Sequence, residues 1–369
     1  MKHATWPKLL AVIVIIFVGF FLGLNFKRLK ANIISPIKDN QFIVKKWSKQ
    51  CVDQNWSGDL WLYTNNQDNP KQITKGQCIN KVLTLSPNRK HALVTTTSYE
   101  NGSRKTLLAV VELATGATII LKDGDNYSNY GIGYWLSDRE AVNFIAPRIG
   151  NNLVKIEAID IKNKNSRLIG ELPIAAFIGS NTPFSMDRQK VVMGNEEAQF
   201  MNINAGFYSF DIPSQQKYLL VTKGNLNFIT WFEDRVVYVD KQNGNNNLWI
   251  INADGTNKEK LGKLEGEEIS NFAVSGDRKK LTYSIKTKET NTPEIDVDHN
   301  WFSFDLINKE NKKIDFNESF VGIQSLSGDG SLGSFTKKDT HELFIVDLDS
   351  LKTTKLCGSG NGCEVSWPW

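Results

Sequence analysis

One glycine run in this chain of 369 residues has the form that cradles phosphate, Gly328-Asp329-Gly330-Ser331-Leu332-Gly333. A dinucleotide site needs G-x-G-x-x-G between a strand and a helix, so that phosphate meets the helix N-terminus. Here the run leads from a turn into a strand, and it reads as a glycine-rich β-turn. Asp296, Asp298 and Asn300 have the alternating spacing of a calcium loop. The glycine due next is Trp301 and the glutamate due at the twelfth position is Ile307, so this is a weak calcium candidate and reads better as a solvated connection between strands. Histidine is scarce: His3, His91, His299 and His341. His91 sits inside a repeated segment and reads as structural, whereas His299 and His341 are far apart in sequence yet able to meet in a closed ring. Spacing alone reveals no Ser-His-Asp set. No catalytic residue, cofactor or firm metal ligand is assigned.

The four cysteines, Cys51, Cys78, Cys357 and Cys363, lie near the two ends of the folding region. Four cysteines allow three pairings. Cys357 and Cys363 bracket a G-S-G-N-G loop, where a local disulfide forms easily, and Cys51 and Cys78 flank a hairpin across which they can pair. Two disulfides would indicate an oxidising compartment; four buried free thiols are the alternative. Zinc does not suit the spacing, since no C-x-x-C is present and no histidine is close in sequence.

The elements that must position these residues come from a repeat. Six segments share an apolar run, a tight polar turn with Ser, Asp or Gly next to Arg or Lys, and a second apolar run; they start at Leu83, Tyr134, Pro183, Ile229, Phe272 and Ser325. Their turns lie roughly 42 to 52 residues apart, the period of propeller blades rather than of helical repeats. A second hairpin follows each, from Leu107, Val154, Gly206, Asn247, Trp301 and Glu342, with β-branched and aromatic strands around Asp- or Asn-rich bends. Four strands per period make a blade. The spacing therefore predicts an all-β propeller of seven four-stranded blades, six being the alternative. The last blade is closed by both chain ends: D-L-W-L-Y-T and K-Q-I-T from Asp59 supply outer strands, and C-E-V-S-W-P-W supplies an inner one, with about one strand missing. Trp61, Trp135, Trp231, Trp249, Trp301 and Trp367 fall at repeat positions and are expected between blades.

These repeats resemble those of the TolB-type propeller family, whose units run S-P-D-G-K, an apolar strand, then a strand ending in D-x-D-G. The matching residues are Leu85-Ser86-Pro87-Asn88-Arg89-Lys90, Ser275-Gly276-Asp277-Arg278-Lys279, and Asn247 through Gly255. The resemblance covers roughly residues 55–369 and implies fold more than function, because its residues build turns. Members of that family are often extracytoplasmic and bind other proteins. Prolyl oligopeptidase-type propellers are also similar, but they carry a hydrolase domain for which this chain leaves no room.

Residues 9–24 carry no polar side chain and are flanked by Lys2 and Lys8 before and by Lys27, Arg28 and Lys30 after. At about 1.5 Å per residue this nearly spans a hydrocarbon core. No small-x-small cleavage site follows, so residues 1–26 read as a transmembrane signal anchor, with a cleaved signal peptide as the alternative. Residues 27–50 read as a stalk and residues 51–369 as the propeller. The basic downstream flank favours an internal domain; the short leader and the cysteines favour an extracytoplasmic one, which is the expectation. A net charge of +4 with scattered basic residues argues against a nucleic-acid partner. The function expected is non-catalytic binding of another protein or a cell-envelope component. A funnel-site hydrolase or lyase acting on a glycan or peptide is the alternative, and a cytosolic-facing scaffold comes third.

Overall fold

The computed structural model describes residues 41–48, 51, 57–64, 69–100, 103–122, 129–145, 153–173, 184–195, 206–222, 225–286, 298–358 and 363–367. The expected membrane segment, residues 9–24, lies outside them. All described elements are strands. The chain opens with β1 (Gln41–Trp47), β2 (Gly58–Thr64) and β3 (Lys71–Gln72), followed by β4 (Ile79–Leu85), β5 (His91–Glu100), β6 (Ser103–Glu112) and β7 (Thr118–Lys122). Next come β8 (Asn129–Trp135), β9 (Glu140–Ile145), β10 (Leu153–Asp160) and β11 (Ser166–Pro173), then β12 (Lys190–Asn195), β13 (Gly206–Asp211) and β14 (Gln216–Thr222). The second half has β15 (Asn225–Phe232), β16 (Arg235–Gln242), β17 (Asn245–Asn252) and β18 (Glu259–Leu264), then β19 (Ile269–Val274), β20 (Lys280–Lys286), β21 (His299–Asp305) and β22 (Glu310–Ile314). It ends with β23 (Phe320–Leu326), β24 (Leu332–Lys337), β25 (Leu343–Asp347), β26 (Thr353–Cys357) and β27 (Glu364–Ser366).

Each repeat segment is a hairpin, and one bonding scheme explains its sequence. In four of them a serine hydroxyl donates to the Asn or Asp two residues on: Ser86 to Asn88, Ser185 to Asp187, Ser275 to Asp277 and Ser327 to Asp329, at 2.6–2.8 Å. The same serine oxygen accepts the amide of the residue that opens the next strand, His91, Lys190, Lys280 or Leu332, at 2.9–3.0 Å. The position between them is left-handed, at φ 58° for Arg89, 61° for Arg188, 59° for Arg278 and 68° for Gly330. Ser and Asp are thus consumed by the bend. Gly330 belongs to this set, so the G-x-G-x-x-G run is a turn leading into β24, as its context implied.

The sheets pack side by side into a β-propeller. Seven apolar clusters lie between neighbouring strand sets. Since each sheet is covered on both faces, its central strands are apolar on both sides, as in Val236, Val237, Tyr238 and Val239, all 0% exposed. Trp135, Trp231, Trp301 and Trp367 are buried between sheets as expected. Trp61 and Trp249 are not: they are half-buried and capped by the ammonium groups of Lys46 and Lys258.

Two expectations are corrected at the closure. The assigned stalk ends too late, because β1 pairs with β2 along its whole length and with β27 through Ile43, Val44 and Lys45. Its apolar residues split between two clusters, Phe42 and Val44 on one side and Ile43 on the other, a two-sided burial that its lysines disguise in the sequence. β1 is also the strand thought to be missing. The second correction concerns the sheet count. Among the described residues there are four four-stranded sheets, one three-stranded sheet and one eight-stranded sheet ordered β27-β1-β2-β4-β5-β6-β7, with β3 on β2, instead of seven separate four-stranded ones. The two halves of the large sheet meet at the single pair Gly58↔Ile79. Gly58 permits a close approach there, since a Cβ on it would meet the Lys46 carbonyl oxygen at 1.9 Å.

Disulfides fasten the closure. Cys51 in the β1–β2 connection is bonded to Cys78 just before β4, and Cys357 at the end of β26 to Cys363 just before β27. No cysteine is free.

Candidate functional site

The serine-built turns, and the second turns between third and fourth strands, all lie on one face of the propeller. The opposite face carries the connections between second and third strands and between one strand set and the next. It also carries both disulfides and, among the described residues, a cluster of chemically capable side chains that gathers around a histidine.

That histidine is His299, the first residue of β21. Ser270 and Ser284 each place a hydroxyl 3.0 Å from its Nδ1, and the two hydroxyls are 2.9 Å apart. Asn271 donates from Nδ2 to Ser284 Oγ at 2.8 Å, to Ser270 Oγ at 3.2 Å and to the Val321 carbonyl at 3.3 Å, which ties the group to the neighbouring sheet. Ser284 is fully buried while Ser270 is exposed. A bulge explains how the two serines meet. In β19 the register slips between Ile269 and Asn271, so Ser270 is the extra residue and is aimed at the imidazole.

Burial, with Lys286 and Lys338 adding to it against Asp298, holds the His299 imidazolium below its ordinary range. The ring is therefore neutral at pH 7, and its Nδ1 shares hydrogen bonds with the two hydroxyls. A hydroxyl against an imidazole is the first half of a nucleophile–base pair. The second half is an acid that orients the ring. Asp298, adjacent in the chain, instead accepts from Lys338 Nζ at 2.7 Å. The arrangement is that of a neutral polar patch bordered by an exposed ion pair.

The other candidates are dispersed. Asp296 lies outside the described residues. Asp298 is committed to Lys338, and Asn300 is in the β21 ladder opposite Ile285. Among the described residues no three His, Cys, Asp or Glu side chains gather as a metal site would require. His341 occupies the β24–β25 turn at φ 51°, with no hydrogen bond or ring contact to His299. His91 is packed 6.1 Å from the Trp135 ring, where burial lowers its pKa. Sequence reasoning named His299 but missed Ser270, Ser284 and Asn271. Their only signal was an unusual run of small polar residues in strands otherwise apolar.

No family model matches the chain, and no curated protein matches it. Solved structures are similar. An oligogalacturonate lyase in complex with manganese is 14% identical over 87% of this chain and 86% of its own, with a TM-score of 0.59. An uncharacterised protein of Listeria monocytogenes is 14% identical over 87% of this chain and 92% of its own, also at 0.59. TolB from Acinetobacter baumannii is 11% identical over 88% and 82%, at 0.45. At such identities the likeness to the first two shows the β-propeller fold alone.

Proposed function

We propose that this protein is a single-pass membrane protein whose extracytoplasmic propeller binds another protein or a cell-envelope component without catalysis. The observation that carries this reading is the His299 cluster: a neutral imidazole satisfied by two hydroxyls, with its neighbouring carboxylate spent on a lysine. That surface suits hydrogen-bonded recognition better than proton transfer. Two disulfides at the closure support an oxidising compartment, and the apolar residues 9–24 supply the anchor. We further propose that the eight-stranded sheet serves as two blades, which makes a ring of seven of the TolB-like kind. The seven inter-sheet clusters support that count.

Two measurements test the reading. In intact cells, external protease should cut the domain, and a thiol reagent should label it only after reduction; protection together with free thiols points to the cytosolic scaffold instead. A photocrosslinker at Ser270 should give one discrete adduct, lost when Asn271 and Lys338 are both changed to Ala. The Ser270–His299 contact is what favours the enzyme reading. Turnover of a defined glycan or peptide by the purified protein, abolished in His299→Ala, would establish a funnel-site enzyme.

A further inference from the structure

Arg278 occupies the left-handed position of the β19–β20 turn, on the face opposite His299, yet it is only 3% exposed. A turn arginine ordinarily points to water. This one points inward, where the Tyr134 hydroxyl of β8 acts on its guanidinium. The apolar clusters place the β8–β11 sheet three sheets away from β19–β22 around the ring, by way of β12–β14 and β15–β18. The Arg278 side chain therefore crosses the central channel. It shares that space with Arg188, the equivalent residue of the turn before β12, whose charge acts on it directly.

Arg278, which is buried, and Arg188, which is half-buried, lack the carboxylate partners that such arginines normally have. Among the described residues no carboxylate forms an ion pair with either. The acid that acts on Arg278 is Asp187, whose Oδ1 already takes the Ser185 hydroxyl at 2.6 Å and the Gln189 amide at 3.0 Å. Asp138, which faces Arg188, takes the Asn88 amide at 2.7 Å. Arg278 Nη1 is buried with no hydrogen-bond partner among the described residues. Burial pulls both arginines below their ordinary range. A buried, unpaired guanidinium is costly, and natural proteins retain one chiefly where something completes it. Arg188 also lines an open groove of ≈ 400 Å³, which it shares with Gln189 and with the Glu140–Arg167 ion pair.

We propose that Arg188, Arg278 and Tyr134 form a seat for a small oxyanion, a phosphate or a carboxylate, at the turn end of the channel. Guanidinium forks match the paired oxygens of either group. The seat is separate from the His299 face, so its test does not depend on the binding reading above.

The experiment is calorimetric titration and thermal unfolding of the full chain with inorganic phosphate and, separately, acetate, at ionic strength fixed with sodium chloride. The expected result is saturable uptake of one anion per chain and a rise in the unfolding midpoint, with the larger response identifying which oxyanion the seat prefers. Arg278→Gln should abolish the response, and Arg188→Gln should weaken binding at least tenfold. If Arg278→Gln does not fold, Arg188→Gln and Tyr134→Phe decide. No saturable uptake, or an equal response in wild type and variants, overturns the proposal.

Discussion

His299 shows what burial does to a single group. Its pKa is depressed, so above the ordinary value of 6.5 both folded and unfolded chains carry it neutral and the cluster contributes fully. As pH falls below that value the unfolded chain takes the proton first, and stability declines until the folded imidazole is protonated as well. Denaturant unfolding of wild type and His299→Gln between pH 7.5 and 5 should therefore show a steeper loss in wild type. Ser270→Ala removes one hydroxyl that favours the neutral ring, so the NMR titration of His299 should move upward. An unmoved titration would mean that Ser284 alone satisfies Nδ1.

Turns and crosslinks act at the scale of elements. At Gly330 a side chain would have to adopt φ 68° and place its Cβ 3.0 Å from the Ser275 Cβ, across the boundary between adjacent turns. Gly330→Ala should cost about 1–2 kcal/mol in denaturant unfolding. The disulfides close loops of different length, with separations of 27 and 6 residues. Chain entropy predicts a loss of about 3.5 kcal/mol when Cys51 and Cys78 are both changed to Ser, and about 2 kcal/mol for Cys357 and Cys363. A reversed order would mean that strain or residual structure outweighs loop length.

The molecule as a whole stands or falls by ring closure. Trp367 is 1% exposed and lies 4.6 Å from the Phe42 ring, so residues from opposite chain ends form one cluster. Trp367→Ala should cost about 3–5 kcal/mol and, by opening the ring, should also make unfolding less cooperative by calorimetry. Acid acts on several turns together. Asp160, Asp187, Asp254, Asp305, Asp329 and Asp347 are all held below 3.8. Burial opposes this at all six, most strongly at Asp160, Asp187, Asp305 and Asp329, and is outweighed by hydrogen bonds from turn amides and side chains. Their contribution is intact above about pH 4 and is lost as pH falls through the folded values. Acid unfolding followed by circular dichroism should begin below pH 4, and Asp329→Asn should blunt it.

The repeat was legible in the sequence because its cause is local: a serine, an Asp two residues on and a left-handed position make the same bend wherever they occur. Period and hairpins followed from that, as did the closure by Val365 and its neighbours, since an apolar run at the very end needs a sheet to join. Both disulfides were anticipated from their place beside the closure. The β1 strand was not legible, because Lys45 and Lys46 give Gln41–Trp47 a polar composition, and its burial exists only once two neighbouring sheets flank it. The His299 cluster was hidden for a related reason. Ser270, Ser284 and His299 are spread over three strands, and a one-residue bulge decides which way Ser270 faces. Arg278 is the clearest case: its sequence context specifies a turn, but only the ring brings it across the channel to Tyr134. Local hydrogen bonding acts within a few residues and can be read from their order; contacts across a closed ring depend on how its sheets are arranged.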